Sequence, residues 1–302
     1  MIFSPISIFV YNRPLHTKLM LNSLSNCDGI EKSKIFIFID GPKNLEDKIK
    51  VKKVRELVHY FKRNNKNVTI SESKKNRGTY YNIVNGINTV LKKFDKVIVI
   101  EDDLKFKQNF LIYMNEALKK YQKNKNIFQI SGYAYPIKTY RIDCYFLNLT
   151  SCWGWGIWKN RWDDFNKFLL SETKIRTNYQ KIKNNKLLKN KFNINNSYDY
   201  LNFLKKQMVQ NFNSWGILFY LYSFNNNKLN LFPSKSLIEN NGFDGSGLHK
   251  SKSDVFNLKT KSEKIKYKFT NNIYNSDKNL KKISIFLKTE LSIFNKLKNI
   301  FN

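Results

Sequence analysis

The sequence predicts an α/β fold built on a mainly parallel central sheet. Through the first 126 residues, short continuous apolar runs alternate with segments of helical spacing, the pattern of parallel strands covered on both faces by crossover helices. Turn chemistry such as Asp40-Gly41-Pro42 punctuates the alternation. A chain of 302 residues suits one large domain or two small ones. Its 41% apolar share, with 24 Phe and 17 Tyr, supplies a core and excludes a disordered chain.

Residues 6–11 are the first apolar run and read as a buried strand. Residues 15–24 follow with helical spacing at Leu15, Leu19 and Leu24. Ile35–Ile39 is the second strand, and Leu45, Ile49, Val54, Leu57, Val58 and Phe61 then mark an amphipathic helix. A third strand at 68–70 precedes a helix carrying Ile83, Val84, Ile87, Val90 and Leu91. The fourth strand, 97–100, leads to a helix with Phe110, Tyr113, Met114, Ala117 and Tyr121. Beyond Phe128 the pattern loosens. Short strands are expected at 127–130, 145–149, 229–232 and 236–238, a helix at 212–222, and exposed helices with loops at 167–206.

Charge narrows the partners. Lys and Arg number 54 against 23 Asp and Glu, a formal +31, which favours an anionic partner: nucleic acid, a phosphorylated ligand or an acidic membrane surface. Lys, Asn and Ile are abundant together, so codon composition accounts for part of that charge. Cys27, Cys144 and Cys152 are scattered, with no Cys-x-x-Cys; this argues against a disulfide framework or zinc ribbon and suits a reducing cytosol. The first residues have no basic n-region of a secretion signal, and no apolar run approaches a membrane span.

Three segments hold the candidate chemistry. Glu101-Asp102-Asp103 closes the fourth strand, at the end where open α/β sheets bind ligands. Three adjacent carboxylates repel one another and call for a cation; a hard Mg²⁺ or Mn²⁺ suits oxygen ligands, and the alternative is a helix cap with solvated neighbours. If strand geometry persists, Glu101 and Asp103 share one face and Asp102 takes the other. The second segment, Cys152-Trp153-Gly154-Trp155-Gly156-Ile157-Trp158 with Trp162 beyond, reads either as aromatic faces for a sugar ring or as a core cluster. The third, Asn240-Asn241-Gly242-Phe243-Asp244-Gly245-Ser246-Gly247, is a glycine-rich loop, either a lid or a surface turn. No P-loop, His-Glu-x-x-His or Gly-x-Ser-x-Gly is present, and His16, His59 and His249 are far apart in sequence.

The order Tyr11-Asn12-Arg13-Pro14, Asp40-Gly41-Pro42-Lys43-Asn44, Asn76-Arg77-Gly78, Glu101-Asp102-Asp103-Leu104, the tryptophan–glycine motif and the 242–247 loop resembles bacterial GT-A glycosyltransferases, of the family-2 type related to N-acetylglucosaminyltransferase I. The resemblance covers about residues 4–250. It implies a GT-A-like catalytic domain over 1–250, with a nucleotide-binding half at 1–126 and an acceptor half at 127–250, followed by a basic helical tail at 251–302. It implies a nucleotide-sugar donor on a uridine nucleotide, a Mn²⁺ or Mg²⁺ ion, and inverting transfer to a lipopolysaccharide or capsule glycan. Arg13, Asp40, Asn76, Gly78, Glu101 and Asp102 would bind the donor, and Asp103 would ligate the metal. Trp153, Trp155, Trp158, Asn213 and Trp215 would border the sugar or acceptor pocket. Relatives carry an aspartate near 212–215 as acceptor base. Here that stretch is Phe212-Asn213-Ser214-Trp215, and an asparagine cannot take the proton. Asp244 is the first substitute, with Asp163 and Asp164 second.

Two further readings remain open at this level. One is a degenerate transferase that binds glycan or nucleotide without turnover; the other is a nucleic-acid-binding protein, which the charge favours but no recognition motif supports. In the tail, Leu280, Ile283, Leu287, Leu291, Phe294, Leu297 and Phe301 recur at helical spacing beside Lys281, Lys282, Lys288, Lys296 and Lys298. Such a helix either lies on an anionic membrane surface, at the inner face of the cytoplasmic membrane, or docks on the protein.

Overall fold

The computed structural model describes residues 3–139, 144–210, 214–245, 255–257 and 266–300, with backbone alone at 210 and 291–300. The first half alternates as the apolar runs predict: β1 (Ile6–Val10), α1 (Pro14–Ser25), β2 (Ile35–Ile39), α2 (Leu45–Arg63), β3 (Val68–Glu72), α3 (Thr79–Leu91) and β4 (Lys96–Glu101). A short β5 (Leu104–Phe106), α4 (Phe110–Lys120) and β6 (Ile127–Ser131) follow. The second half holds β7 (Tyr145–Leu147), β8 (Trp155–Trp158), α5 (Lys159–Leu169), α6 (Glu172–Asn184), α7 (Lys186–Phe192), α8 (Tyr200–Gln210), α9 (Trp215–Asn225), β9 (Leu229–Phe232), β10 (Ile238–Asn240) and α10 (Asp277–Ile300).

Among the described residues the main sheet has the order β3-β2-β1-β4-β8-β6-β9-β7. β3, β2, β1 and β4 run parallel. β8 is antiparallel to both β4 and β6, β6 is parallel to β9, and β7 is antiparallel to β9. The sheet is therefore mostly parallel, as expected, with one reversed strand at its centre. That strand is the tryptophan motif itself. Gly156 makes it possible: a Cβ there would press on Met114, Leu118 and the Val97 carbonyl at 3.0–3.3 Å.

Local chemistry sets the helix starts near the site. Pro14 occupies the first turn of α1, where its missing N–H costs nothing. Asn44 caps α2 by accepting from the Asp47 amide, with Glu46 and Asp47 in the first turn and Lys62 and Arg63 in the last. Asp47 also accepts from Tyr11 Oη at 2.5 Å and Asn12 Nδ2 at 2.6 Å, which ties the β1–α1 turn to the start of α2.

The described residues after 265 contact the rest of the chain, and the helical tail takes the docked alternative over 283–287. The Cys144 amide donates to the Lys268 carbonyl, Tyr121 Oη to Thr270, and the Ser276 amide to Phe146. The rings of Tyr267 and Phe269 pack on Tyr113. Ile283, Ser284 and Leu287 are buried, so this apolar face of α10 is spent on the protein. The side chains of Leu291, Phe294 and Leu297, and Phe301 altogether, lie outside the described residues. Among the described residues no helix is long and apolar enough to cross a membrane.

Candidate functional site

The acidic triplet stands at the carboxyl end of β4, beside β1 in the middle of the sheet. The strand stops at Glu101, so the expected alternation of faces does not extend through the triplet. The turn at 102–103 brings both aspartates to one cation, Arg13, at the carboxyl end of β1. Arg13 Nη2 pairs with Asp102 and, at 3.1 Å, with Asp103. Side-chain exposure is 20% for Arg13, 5% for Asp102 and 18% for Asp103, so Asp103 is the more open of the two aspartates.

Electrostatics follow from this packing. Burial opposes the Arg13 charge, but Asp102 and Asp103 outweigh it and lift its pKa above the ordinary guanidinium value. Burial, then the charges of Asp103 and Asp102, push Glu101 up to about 8. Glu101 therefore holds a proton more tightly than an ordinary carboxyl group. Burial also raises Asp102, with Arg13 pulling the other way.

The 240–245 loop lies over this cluster. The Asn241 amide donates to the Asp103 carbonyl at 2.8 Å. A Cβ at Gly242 would stand 2.3 Å from Asp103 Oδ2, so only glycine lets the loop come this close. His16, on α1, lies 3.2 Å from both the Asn241 carbonyl and Asp244 Oδ2. Phe243 packs edge-on against Trp153 and also meets Phe256. Asp244, 48% exposed, stands at the mouth of the cleft, in reach of His16. His16 is a site residue that sequence reasoning passed over. It lies in the first turn of α1, whose N-cap is Arg13.

Asp40, expected at the nucleotide, is engaged with the chain's own backbone. It is buried at the end of β2, where its carboxylate accepts from the Gly41, Arg77 and Gly78 amides and from Asn76 Nδ2 at 2.8–3.1 Å. Asn76 also donates to the Gly41 carbonyl. In this state Asp40 and Asn76 shape the loop that enters α3. Gly78 precedes that helix at φ +81° with open space where a side chain would stand.

The tryptophan motif divides. Trp153 is partly exposed and meets Tyr133, Phe243 and Phe256, under the loop. Trp155 and Trp158 are 0% and 1% exposed, which corrects the expectation that they line a sugar pocket. Trp155 stacks on Trp215 and meets Trp162 and Phe219, while Trp158 lies against Arg161. The reason is β8: a central strand with both faces covered buries its side chains on either side. Trp215 is buried with them. Asp163 and Asp164 lie on the outer face of α5, paired with Lys159 at 2.6 Å and Lys167 at 3.7 Å; no contact described here joins them to the acidic cluster. Asn213 lies outside the described residues.

Among the described residues no three His, Cys, Asp or Glu side chains gather as a preformed metal cage. Mg²⁺-type sites often use one or two carboxylates and take their other ligands from substrate phosphates and water. Asp103, open to the cleft, fits that donor set; the more buried Asp102 fits it less well.

No sequence profile of a known family matches the chain, and no curated protein matches it. Among solved structures it is similar to TarS of S. aureus, at 17% identity and TM-score 0.31 over 42% of this chain and 21% of that one. It is similar to a mannosyltransferase from Pyrobaculum calidifontis in complex with GDP-Man and Mn²⁺, at 12% identity and TM-score 0.35 over 51% and 45%. It is also similar to GalNAc-T7 with UDP, GalNAc and Mn²⁺, at 11% identity and TM-score 0.40 over 54% and 36%. The chain spans less than half the length of each.

Proposed function

We propose that the protein is a glycosyltransferase that moves a sugar from a nucleotide-sugar donor to a surface glycan of the lipopolysaccharide or capsule type, with inversion. The observation that carries this reading is the convergence, at the carboxyl ends of β1 and β4, of Arg13, Asp102 and Asp103 beneath a glycine loop that brings in Asp244. A diphosphate needs cationic groups, and Arg13 is the one already there. The β1–α1 turn, the entry to α3 and the end of β4 frame a crevice at the carboxyl ends of parallel strands, where nucleotides sit in open α/β sheets.

In this reading Asp103 holds Mn²⁺ or Mg²⁺ together with the donor phosphates. The ion, when bound, neutralises charge on the leaving diphosphate. Arg13 keeps Asp102 and Asp103 in place and, at the same strand ends, faces the diphosphate. Glu101, whose pKa burial raises, hydrogen-bonds a ribose or sugar oxygen. Asp244 accepts the proton of the acceptor hydroxyl, with His16 orienting its carboxylate. Trp153 offers part of its ring to the sugar from below the loop. Attachment at the inner face of the cytoplasmic membrane would use the outward lysines of α10, since its apolar face at 283–287 is occupied.

The test is donor turnover. Purified protein is given UDP- and GDP-linked sugars with Mn²⁺, and release of the nucleoside diphosphate is followed. Hydrolysis of one donor class that is lost in Asp244→Asn, with donor binding retained, supports the reading. A second reading, binding without turnover, draws on the ion pairs by which Arg13 already engages both aspartates. Tight donor binding with no release from any donor, in the presence of a panel of glycan acceptors, would establish it instead.

A further inference from the structure

At the opposite end of the sheet lies a second charged feature. A hollow of about 560 Å³ is lined by Lys120, Tyr121, Lys123, Asn124, Lys125, Asn126, Asn271 and Ile273. Three ammonium groups and three amides line it, and no carboxylate does. It opens between the loop that ends α4 and the segment that leads into α10.

This loop is built. Beneath it, Arg161 is 5% exposed and donates to the carbonyls of Gln122, Asn124 and Ile127 at 2.8–3.0 Å, with its guanidinium over the Trp158 ring at 4.0 Å. Every partner described for Arg161 is a neutral oxygen, so its charge adds to that of the lysines above it. The far wall is fastened too: Tyr121 Oη donates to the Thr270 carbonyl at 2.7 Å, and Lys120 Nζ to Asn271 Oδ1 at 2.8 Å. Lys228 Nζ reaches the Lys125 carbonyl at 3.1 Å and brings a further charge to the rim.

Position separates this hollow from the acidic cleft. β6 runs in the direction of β4, because both are antiparallel to β8. The hollow sits before Ile127, where β6 begins, whereas the acidic triplet sits where β4 ends. Six strand residues stand between the two levels, about 20 Å of rise. Phosphate oxygens are the groups that exposed lysines and amide donors, carried on a loop held from beneath, serve well.

We propose that this hollow is a second anion site that binds a phosphate-bearing group, apart from the nucleotide cleft. The group arrives either on a soluble phosphate ester or on a lipid headgroup. The inference stands whether or not the cleft is a transferase site.

Isotope-labelled full-length protein, titrated with inorganic pyrophosphate at 150 mM salt without metal, tests it by amide shifts. Saturable shifts confined to 121–126 and 271, weakened tenfold or more by Lys123→Gln with Lys125→Gln, are expected. The charge-matched pair Lys48→Gln with Lys52→Gln, exposed on α2, should change affinity less than twofold. Shifts that do not saturate, or equal losses in both pairs, would overturn the site. Flotation with phosphatidylglycerol vesicles assigns the source: loss of flotation in the hollow variant alone indicates a lipid headgroup, and unchanged flotation beside lost pyrophosphate binding indicates a soluble ester.

Discussion

Arg13 and Arg161 are guanidinium groups at opposite ends of one sheet, and their partners differ in kind. Arg13 faces carboxylates and its pKa is raised. Arg161 faces carbonyl oxygens, and burial lowers it to about 10. An arginine matched by acids at a partly open strand end sits where a charged ligand rearranges the pairing. An arginine capped by loop carbonyls is architecture, and whatever charge it projects is fixed.

The largest expected effect is on the architectural side. Arg161→Met leaves the buried Ile127 carbonyl without its donor, at about 1–3 kcal/mol, takes a donor from the carbonyls of Gln122 and Asn124, and removes the guanidinium from the Trp158 ring. A loss of at least about 3 kcal/mol, equal at pH 5 and pH 8, is expected from urea unfolding. A variant as stable as the parent would remove the distinction between the two arginines.

Arg13→Met is expected to cost less, about 2 kcal/mol at pH 8, below the roughly 3–5 kcal/mol of a fully buried broken pair because Arg13 retains 20% exposure. Its cost should depend on pH. Without the cation, the folded-state pKa values of Glu101 and Asp102 rise further above their unfolded values of about 4. A raised folded value means that stability falls as pH climbs from about 4 through 8. The deficit should therefore be small at pH 5, grow as pH rises, and widen further above about pH 8, where Glu101 of the parent ionises. A deficit that grows towards pH 5 would contradict the charge assignment.

Much of this plan was legible in the sequence. β1, β2 and β4 are mainly apolar runs that suit a doubly covered sheet, while β3 is an edge strand with one buried residue, and the acidic triplet followed from where the fourth run ended. What failed to show was long-range. Nothing local links Arg13 to residues 89 and 90 positions away, and His16 became visible only when the 240–245 loop landed on α1. β8 was hidden because alternating Trp and Gly reads as a binding motif as readily as a strand. The α10 periodicity predicted an apolar face correctly, but periodicity does not say what covers it.

A smaller effect sharpens the acidic side. Gly242→Ala puts a methyl group 2.3 Å from Asp103 Oδ2, so the loop must lift. Donor affinity should fall about tenfold, or ~1.4 kcal/mol, with the unfolding midpoint nearly unchanged. Equal affinity would show that loop and aspartate do not act together. Smallest of all, Asp163→Asn breaks an exposed i, i+4 pair with Lys159, worth about 0.3–0.5 kcal/mol, and should leave transfer intact; a collapse of transfer would move the base from Asp244 to α5.

The most direct measurement is calorimetry of nucleotide-sugar binding, with and without Mn²⁺, to the parent and to Asp103→Ala. Saturable binding to the parent that strengthens with Mn²⁺, and loses that strengthening in Asp103→Ala while the fold persists, is the predicted result. Unchanged Mn²⁺-dependent affinity in the variant, or no donor bound by the parent at all, would contradict it.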